Sequence, residues 1–463
     1  MRRRARGRVR RSARVIRWTR GVMDQRSPVH EIVNALWRAL HELGSPATTG
    51  EIEHWGFSIH AALSAAGREF HNHDHVIDLV SGSEPLEVIA ALYHDAVYIQ
   101  VDQGPPRSMR DELSSVLAQG ADGWRVLPEA AAPVTGDVLH VFDRKVGDVV
   151  TPTTGLNELS SALVASIQLE QALSREQRIV VAACIEQTIP FRVDPVPALH
   201  GRLADLGLAG DALEAAIRSA VRVGNRDVDN FADNNAARFL DNTWKLLPES
   251  NPALHSPMVY TVRDYRLALL KMEGFLAWLP AERVFHSWND EPRPEVHARR
   301  IARAAGNLEL AVRYLRAKLY SISLVEAIAE ITGGDVPVDY FMGGIKLASR
   351  PEMKTIEQFL PSLPDARDLD PPLHRLLAEG RASESSFDTG PSPLGACLHA
   401  AVGDREVMRG VEAAKKWWAG VGDAAAFLAG QARAPVAAIA RAAANIIDTR
   451  RDRLFALAER LER

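Results

Sequence analysis

The sequence predicts an all-α protein on three observations. Apolar residues recur three and four positions apart in long segments, as in Ile32-Val33-Leu36-Leu40-Leu43 and Leu159-Leu163-Ile167-Leu169-Leu173, the spacing that lines one face of a helix. Strand-type alternation is scarce. Helix-start signals precede the periodic runs: Ser27-Pro28, Ser83 with Glu84-Pro85, Ser174 with Glu176, and Asn251-Pro252. Each supplies a capping oxygen or a pre-set φ before a first turn. At 463 residues the chain exceeds one ordinary core, so at least two units are expected.

Taken in order, residues 1–26 hold 11 Arg against one Asp, so of the overall charge of −4 this tail contributes +10 and the rest −14. Arg14, Arg17 and Arg20 interrupt its apolar residues, which excludes a secretory signal. The tail is expected to be disordered, or untranslated with Met23 as the start. An acidic body argues against general binding of nucleic acid. Residues 27–250 form the first expected unit, 251–379 a helical region without recognisable chemistry, 380–395 a flexible Ser/Gly/Pro-rich linker, and 396–463 C-terminal helices offering a face for a homo-oligomer. Within the Pro128–Gly155 stretch, Val138-Leu139-His140-Val141-Phe142 predicts a short strand or hairpin. The nearest thing to a membrane span, Ala434 to Ile447, contains Arg441, so no span is expected. Cys184 and Cys397 stand far apart without a CxxC partner, which suggests neither disulfide nor cysteine zinc site and suits the cytoplasm.

The chemistry gathers in one stretch. Arg68-Glu69-Phe70-His71-Asn72-His73-Asp74-His75 is followed by Ala90-Ala91-Leu92-Tyr93-His94-Asp95-Ala96-Val97-Tyr98. On a strand, residues 71, 73 and 75 would face one way and resemble the HxHxDH start of metallo-β-lactamase-fold hydrolases. The spacing is one residue short of that, and the preceding Ile59–Gly67 is Ala-rich and helical in pattern. On a helix, His71 and His75 share a face while His73 points away to solvent. His94 and Asp95 sit at the edge of an apolar stripe formed by Leu86, Ile89, Ala90, Tyr93 and Val97, and both reach one ion only in a groove where several helices converge.

R-x-F-H-N-x-x-H followed by A-A-L-Y-H-D-A-V-Y resembles the HD superfamily of metal-dependent phosphohydrolases, and more narrowly a bacterial subgroup of predicted HD phosphohydrolases, over about 50 residues. The resemblance implies an HD-like helical bundle in which H…HD…D side chains bind a divalent cation. It makes His71 the first ligand, 23 residues before His94, with His75 a second ligand or substrate contact. His94 and Asp95 follow directly. The last Asp is sought in Val223-Gly224-Asn225-Arg226-Asp227-Val228-Asp229, where Asp227 is chosen over Asp229. The subgroup's acidic Glu-Ser element is matched to Asp111-Glu112-Leu113-Ser114-Ser115, giving Glu112 a role as orienter or proton shuttle beside Asp95.

The residue types carry the same reading. A mixed His/Asp set suits Mn²⁺, Fe²⁺, Zn²⁺ or Mg²⁺ and leaves positions open. Such an ion lowers the pKa of water and polarises a phosphoryl oxygen, so hydrolysis of a nucleotide or other small phosphate ester is the expected activity. Arg68, Arg107, Arg110 and Arg226 flank the motifs and could neutralise a phosphate. Two other readings stay open: a non-catalytic HD-fold binding protein, and an HD-type di-iron oxygenase using the extra histidines. The plain alternative for His94 is a core histidine hydrogen-bonded to a carboxylate. His54 and His60 are ordinary helix residues. Trp244, Trp278, Trp288, Tyr314, Tyr320, Trp417 and Trp418 read as core or interface, and Phe341-Met342-Gly343-Gly344 is too weak a signal for a phosphate cradle.

Overall fold

The computed structural model describes residues 27–344, 354–363, 366 and 368–463; the Arg-rich tail lies outside them. The chain is all-α, with 20 helices and one small sheet among the described residues. None of these helices is long and apolar enough to cross a membrane.

The first half opens with α1 (Pro28–Glu42) and α2 (Thr49–Leu63). Pro28 starts α1, which buries Ile32, Leu36, Ala39 and Leu40, one stripe at helical spacing. A capping box starts α2, in which Thr48 and Glu51 satisfy each other's backbone N–H. The two helices pack so closely that a Cβ on Gly56 would lie 2.6 Å from Val33 Cγ2, so any larger residue there must force them apart. Next come α3 (His73–Val80), α4 (Pro85–Tyr93), α5 (Ile99–Asp102) and α6 (Arg110–Ser114). An antiparallel sheet in the order β1 (Leu117–Gly120), β2 (Gly123–Val126), β3 (Val149–Val150) encloses α7 (Pro133–Val141) in sequence. The strand expected at Val138–Phe142 is therefore a helix. Its apolar residues also fit a helical face, with Val138, Leu139 and Val141 buried, and Pro133 at the first turn decides the matter. Four longer helices complete this half: α8 (Leu156–Gln168), α9 (Arg175–Glu186), α10 (Val196–Asp205) and α11 (Gly210–Asp227).

The second half contains α12 (Ala236–Ser250), α13 (Val262–Trp278), α14 (Pro294–Thr332), α15 (Val338–Met342), α16 (Pro371–Glu379), α17 (Pro393–Trp418), α18 (Ala424–Ala429), α19 (Arg433–Ala444) and α20 (Arg451–Glu462). The 39 residues of α14 span about 58 Å at 1.5 Å per residue, and α13, α17 and α18 pack along it.

Buried apolar residues sort into two cores, one from Ile32 to Val223 and one from Val228 to Ala458. The divide thus falls at the end of α11, earlier than the loop pattern suggested. The reason is α12, which buries Phe239, Leu240, Trp244 and Leu247 in the second core. The stretch expected as a linker, 380–395, is folded into that core as well. Phe387 is fully buried, Tyr260 donates to its carbonyl at 2.8 Å, and Ser383 Oγ donates to Asp241 at 2.6 Å. Its glycines serve tight backbone contact: Gly380 has φ +96°, and a Cβ there would lie 2.5 Å from Gly390.

Candidate metal centre

The site forms where the start of α3, the end of α4, the first turn of α8 and the last residue of α11 meet. Asn72 caps α3, its side chain accepting the N–H groups of Asp74 and His75. The cap fixes the helix start at His73, so His75 lies on the helix and His71 before it. The two are not a turn apart on one face, as the spacing suggested, because a strong Asn cap overrides the periodicity.

His94 closes α4. Its Nδ1 donates to Ala91 O at 2.8 Å, leaving the Nε2 lone pair pointed inward. Around that nitrogen lie Asp95 Oδ2 at 2.9 Å and Asp227 Oδ1 at 3.4 Å, while His75 Nε2 lies 3.0 Å from Asp227 Oδ1 and 3.7 Å from Asp95 Oδ2. The four ligand atoms all fall within 4.8 Å of one another. An ion with bonds near 2.1 Å separates its ligands by roughly 3.0–4.2 Å, and the four separations of 2.9 to 3.7 Å given above lie close to that range. His94 Nε2 and Asp95 Oδ2 are buried and make no properly directed hydrogen bond despite their proximity. Two electron-rich atoms held side by side away from water are unfavourable unless a cation lies between them. Without one, a proton substitutes: burial opposes charge on His94, but Asp95 and Asp227 outweigh it and hold its pKa well above the usual range. Burial likewise opposes ionisation of Asp227, yet His94 and His75 bring it down to about 2. The residues present therefore fit a divalent ion.

A shell of further contacts fixes these groups. Arg68 donates from Nη1 to Asp95 O at 2.5 Å and grips Asp102 with Nε and Nη2 at 2.9 and 2.6 Å. Asn157 and Ser161 of α8 accept Ile99 N–H and Val97 N–H at 3.1 and 3.0 Å. From the end of α12, Glu249 Oε1 accepts the N–H groups of Glu69, Phe70 and His71 at 2.8, 2.7 and 3.1 Å, and its Oε2 takes His71 Nδ1 at 2.5 Å. His71 also packs against Tyr98, with ring centres 4.5 Å apart. Burial disfavours its charge, but Glu249, Asp95 and Asp227 prevail and raise its pKa to about 9. It borders the four-residue cluster without being one of the four.

The other candidate positions lie elsewhere. Arg226 is committed to Glu87 at 2.8 Å and Ser83 at 2.6 Å, Arg68 to the contacts above, and Arg110 is exposed at the start of α6. Glu112 binds Gln168, which receives the Tyr93 hydroxyl, and so braces α6 against α8. Asp229 is exposed and pairs with Arg300 at 3.4 Å. Two carboxylates that matter here escaped the sequence reading. Glu249 had no local signal, since its partners lie 178 to 180 residues away. Glu158 did have one: the Glu-x-Ser pattern assigned to Glu112 occurs again at Glu158-Leu159-Ser160. Its Oε2 is buried without a hydrogen-bond partner, and burial together with the charges of Asp95 and Asp227 pushes its pKa up to about 7. The chain matches no family model, no curated protein and no solved structure.

Proposed function

We propose that this chain is an HD-type, divalent-metal-dependent hydrolase of small phosphate esters, with His75, His94, Asp95 and Asp227 as the metal ligands. The observation that carries the reading is the convergence of these four side chains from three helices, with the inward-facing atoms of His94 and Asp95 lacking any partner. The H…HD…D resemblance supports it independently, with His75 taking the place given to His71. When bound, the ion supplies charge neutralisation and Lewis acidity for phosphoryl transfer to water. The chain's own residues do the rest. Arg68 holds the Asp95 backbone in place, and Asn157 and Ser161 pin the turn that follows. His71, oriented by Glu249, offers its outer nitrogen to a substrate oxygen. With Arg68 and Arg226 engaged elsewhere, His71 is the cation left beside the cluster to meet a phosphate. Cys184 and Cys397 are unpaired, which suits a reducing compartment, and the cytoplasm is the proposed setting.

The test is turnover of a panel of nucleotides and generic phosphate esters with added Mn²⁺, Mg²⁺, Zn²⁺ or Fe²⁺, comparing wild type with Asp95→Ala. Metal-dependent phosphate release that falls at least a hundredfold in the variant is expected. A wild type that binds metal and releases no phosphate from any ester contradicts the reading.

A further inference from the structure

The first two turns of α8 pin the segment after Asp95 through Asn157 and Ser161. Glu158 lies between those two anchors in sequence, on a face it shares with Ser161, close enough to the site that its charge acts on Tyr98 and those of Asp95, Asp227 and His94 act on it. Its Oε2 is buried and unpartnered. Leaving a buried carboxylate oxygen without a donor costs about 1–3 kcal/mol or more. The neighbouring carboxylates face other groups. Asp95 and Asp227 contact the imidazoles of His75 and His94, Glu249 accepts four hydrogen bonds, and Glu112 is bound to Gln168.

We propose that Glu158 is the proton acceptor for the attacking water, an inference that rests on the phosphohydrolase reading above. The water O–H bond breaks and its proton passes to a Glu158 carboxylate oxygen. The electron pair of the water oxygen forms the new O–P bond. The bond from phosphorus to the leaving oxygen breaks with its pair on that oxygen, which takes up the proton from the Glu158 carboxyl or from solvent. Proton transfer by a positioned group of this kind contributes about 10²–10⁴-fold to rate.

The experiment compares wild type, Glu158→Gln and Glu158→Asp for Mn²⁺ content per chain by mass spectrometry, thermal melting, and the pH dependence of kcat and KM on the best ester of the panel. Glu158→Gln should bind Mn²⁺ as wild type does, melt at or above the wild-type temperature when metal-free, and keep its KM. Its kcat should fall about 10²–10⁴-fold with loss of the acidic limb of the pH profile, and Glu158→Asp should restore part of the rate. Loss of Mn²⁺ from Glu158→Gln would make Glu158 a ligand and overturn the proposal, as would unchanged kcat. Should Glu158→Gln not fold, full wild-type turnover with an unaltered pH profile in Glu158→Asp overturns it. A wild type that holds Mn²⁺ but releases no phosphate rejects the underlying reading instead.

Discussion

In the second core, a single oxygen of Asp388 receives Trp244 Nε1 at 2.9 Å, the Tyr265 hydroxyl at 2.7 Å and Lys318 Nζ at 2.7 Å, with Arg381 3.5 Å away. In the first core, Asp95 and Asp227 face imidazole nitrogens, and His94 Nε2, Asp95 Oδ2 and Glu158 Oε2 have no partner. Both clusters bury ions and both are costly to desolvate. Around Asp388 the protein supplies the opposite charges itself. The unpaired nitrogens there belong to Arg381, whose guanidinium lies 4.4 Å over the Trp244 ring and so keeps a favourable partner. Around His94 the carboxylates of Asp95 and Asp227 converge on imidazoles that gain positive charge only by taking up a proton or by sharing a cation. A saturated buried cluster reads as structure and an unsaturated one as a site.

The sharpest way to break this contrast is to remove one carboxylate from each cluster. Asp388→Ala strands Lys318 and Arg381 in the second core, and we predict a loss of about 3–5 kcal/mol in urea unfolding with metal content unchanged. Asp227→Asn should behave differently. Metal-free stability should fall by less than in Asp388→Ala, because the lost carboxylate pairs only with the imidazoles of His75 and His94, whereas the metal-dependent gain should vanish. For wild type that gain is about 2.7–4.1 kcal/mol at free metal 100 to 1,000 times Kd. A larger stability loss in metal-free Asp227→Asn than in Asp388→Ala would remove the distinction.

Two histidines sharpen it further. His71 has a carboxylate partner and His286 does not: burial first, then Arg192, lowers the His286 pKa to about 4. His286 therefore withholds stability as pH falls from 6.5 toward 4, where the unfolded chain takes a proton and the folded one refuses it. His71 does the reverse in the metal-free protein. Its contribution is complete below about 6.5 and is lost as pH rises through about 9. We predict that Glu249→Gln costs about 1–3 kcal/mol at pH 6 and moves the His71 titration, followed by NMR, down toward 6.5. His286→Gln should give the smaller effect, flattening the slope of stability between pH 4 and 6.5 by at most about 3 kcal/mol. A His71 resonance that titrates near 6.5 in the metal-free wild type would contradict the Glu249 pairing.

Local signals carried far in this chain. Helical periodicity gave the all-α class, and the Ser27-Pro28, Glu84-Pro85 and Ser174 signals marked true helix starts, whereas the Asn72 cap was missed. His75, His94 and Asp95 were legible because they lie within 21 residues, and Asp227 because an Asn-Arg-Asp run ends a periodic helix. What escaped was set by distant packing. Glu249 finds its role only when α12 docks into the second core and brings its last turn to His71. Arg68 and Arg226 sit beside the motifs in sequence, yet Asp102 and Glu87 capture their guanidiniums in space. Composition misled at 380–395, where Gly and Ser serve tight turns around a buried Phe387 instead of flexibility.

Whether His75, His94, Asp95 and Asp227 hold one divalent ion is tested most directly by metal stoichiometry. Wild type and Asp227→Asn, each stripped with chelator and then titrated with Mn²⁺ and Zn²⁺, would be followed by calorimetry and mass spectrometry. We predict about one tight ion per wild-type chain and at least a hundredfold weaker binding in the variant. No saturable binding by wild type, or equal binding by both proteins, would contradict the claim.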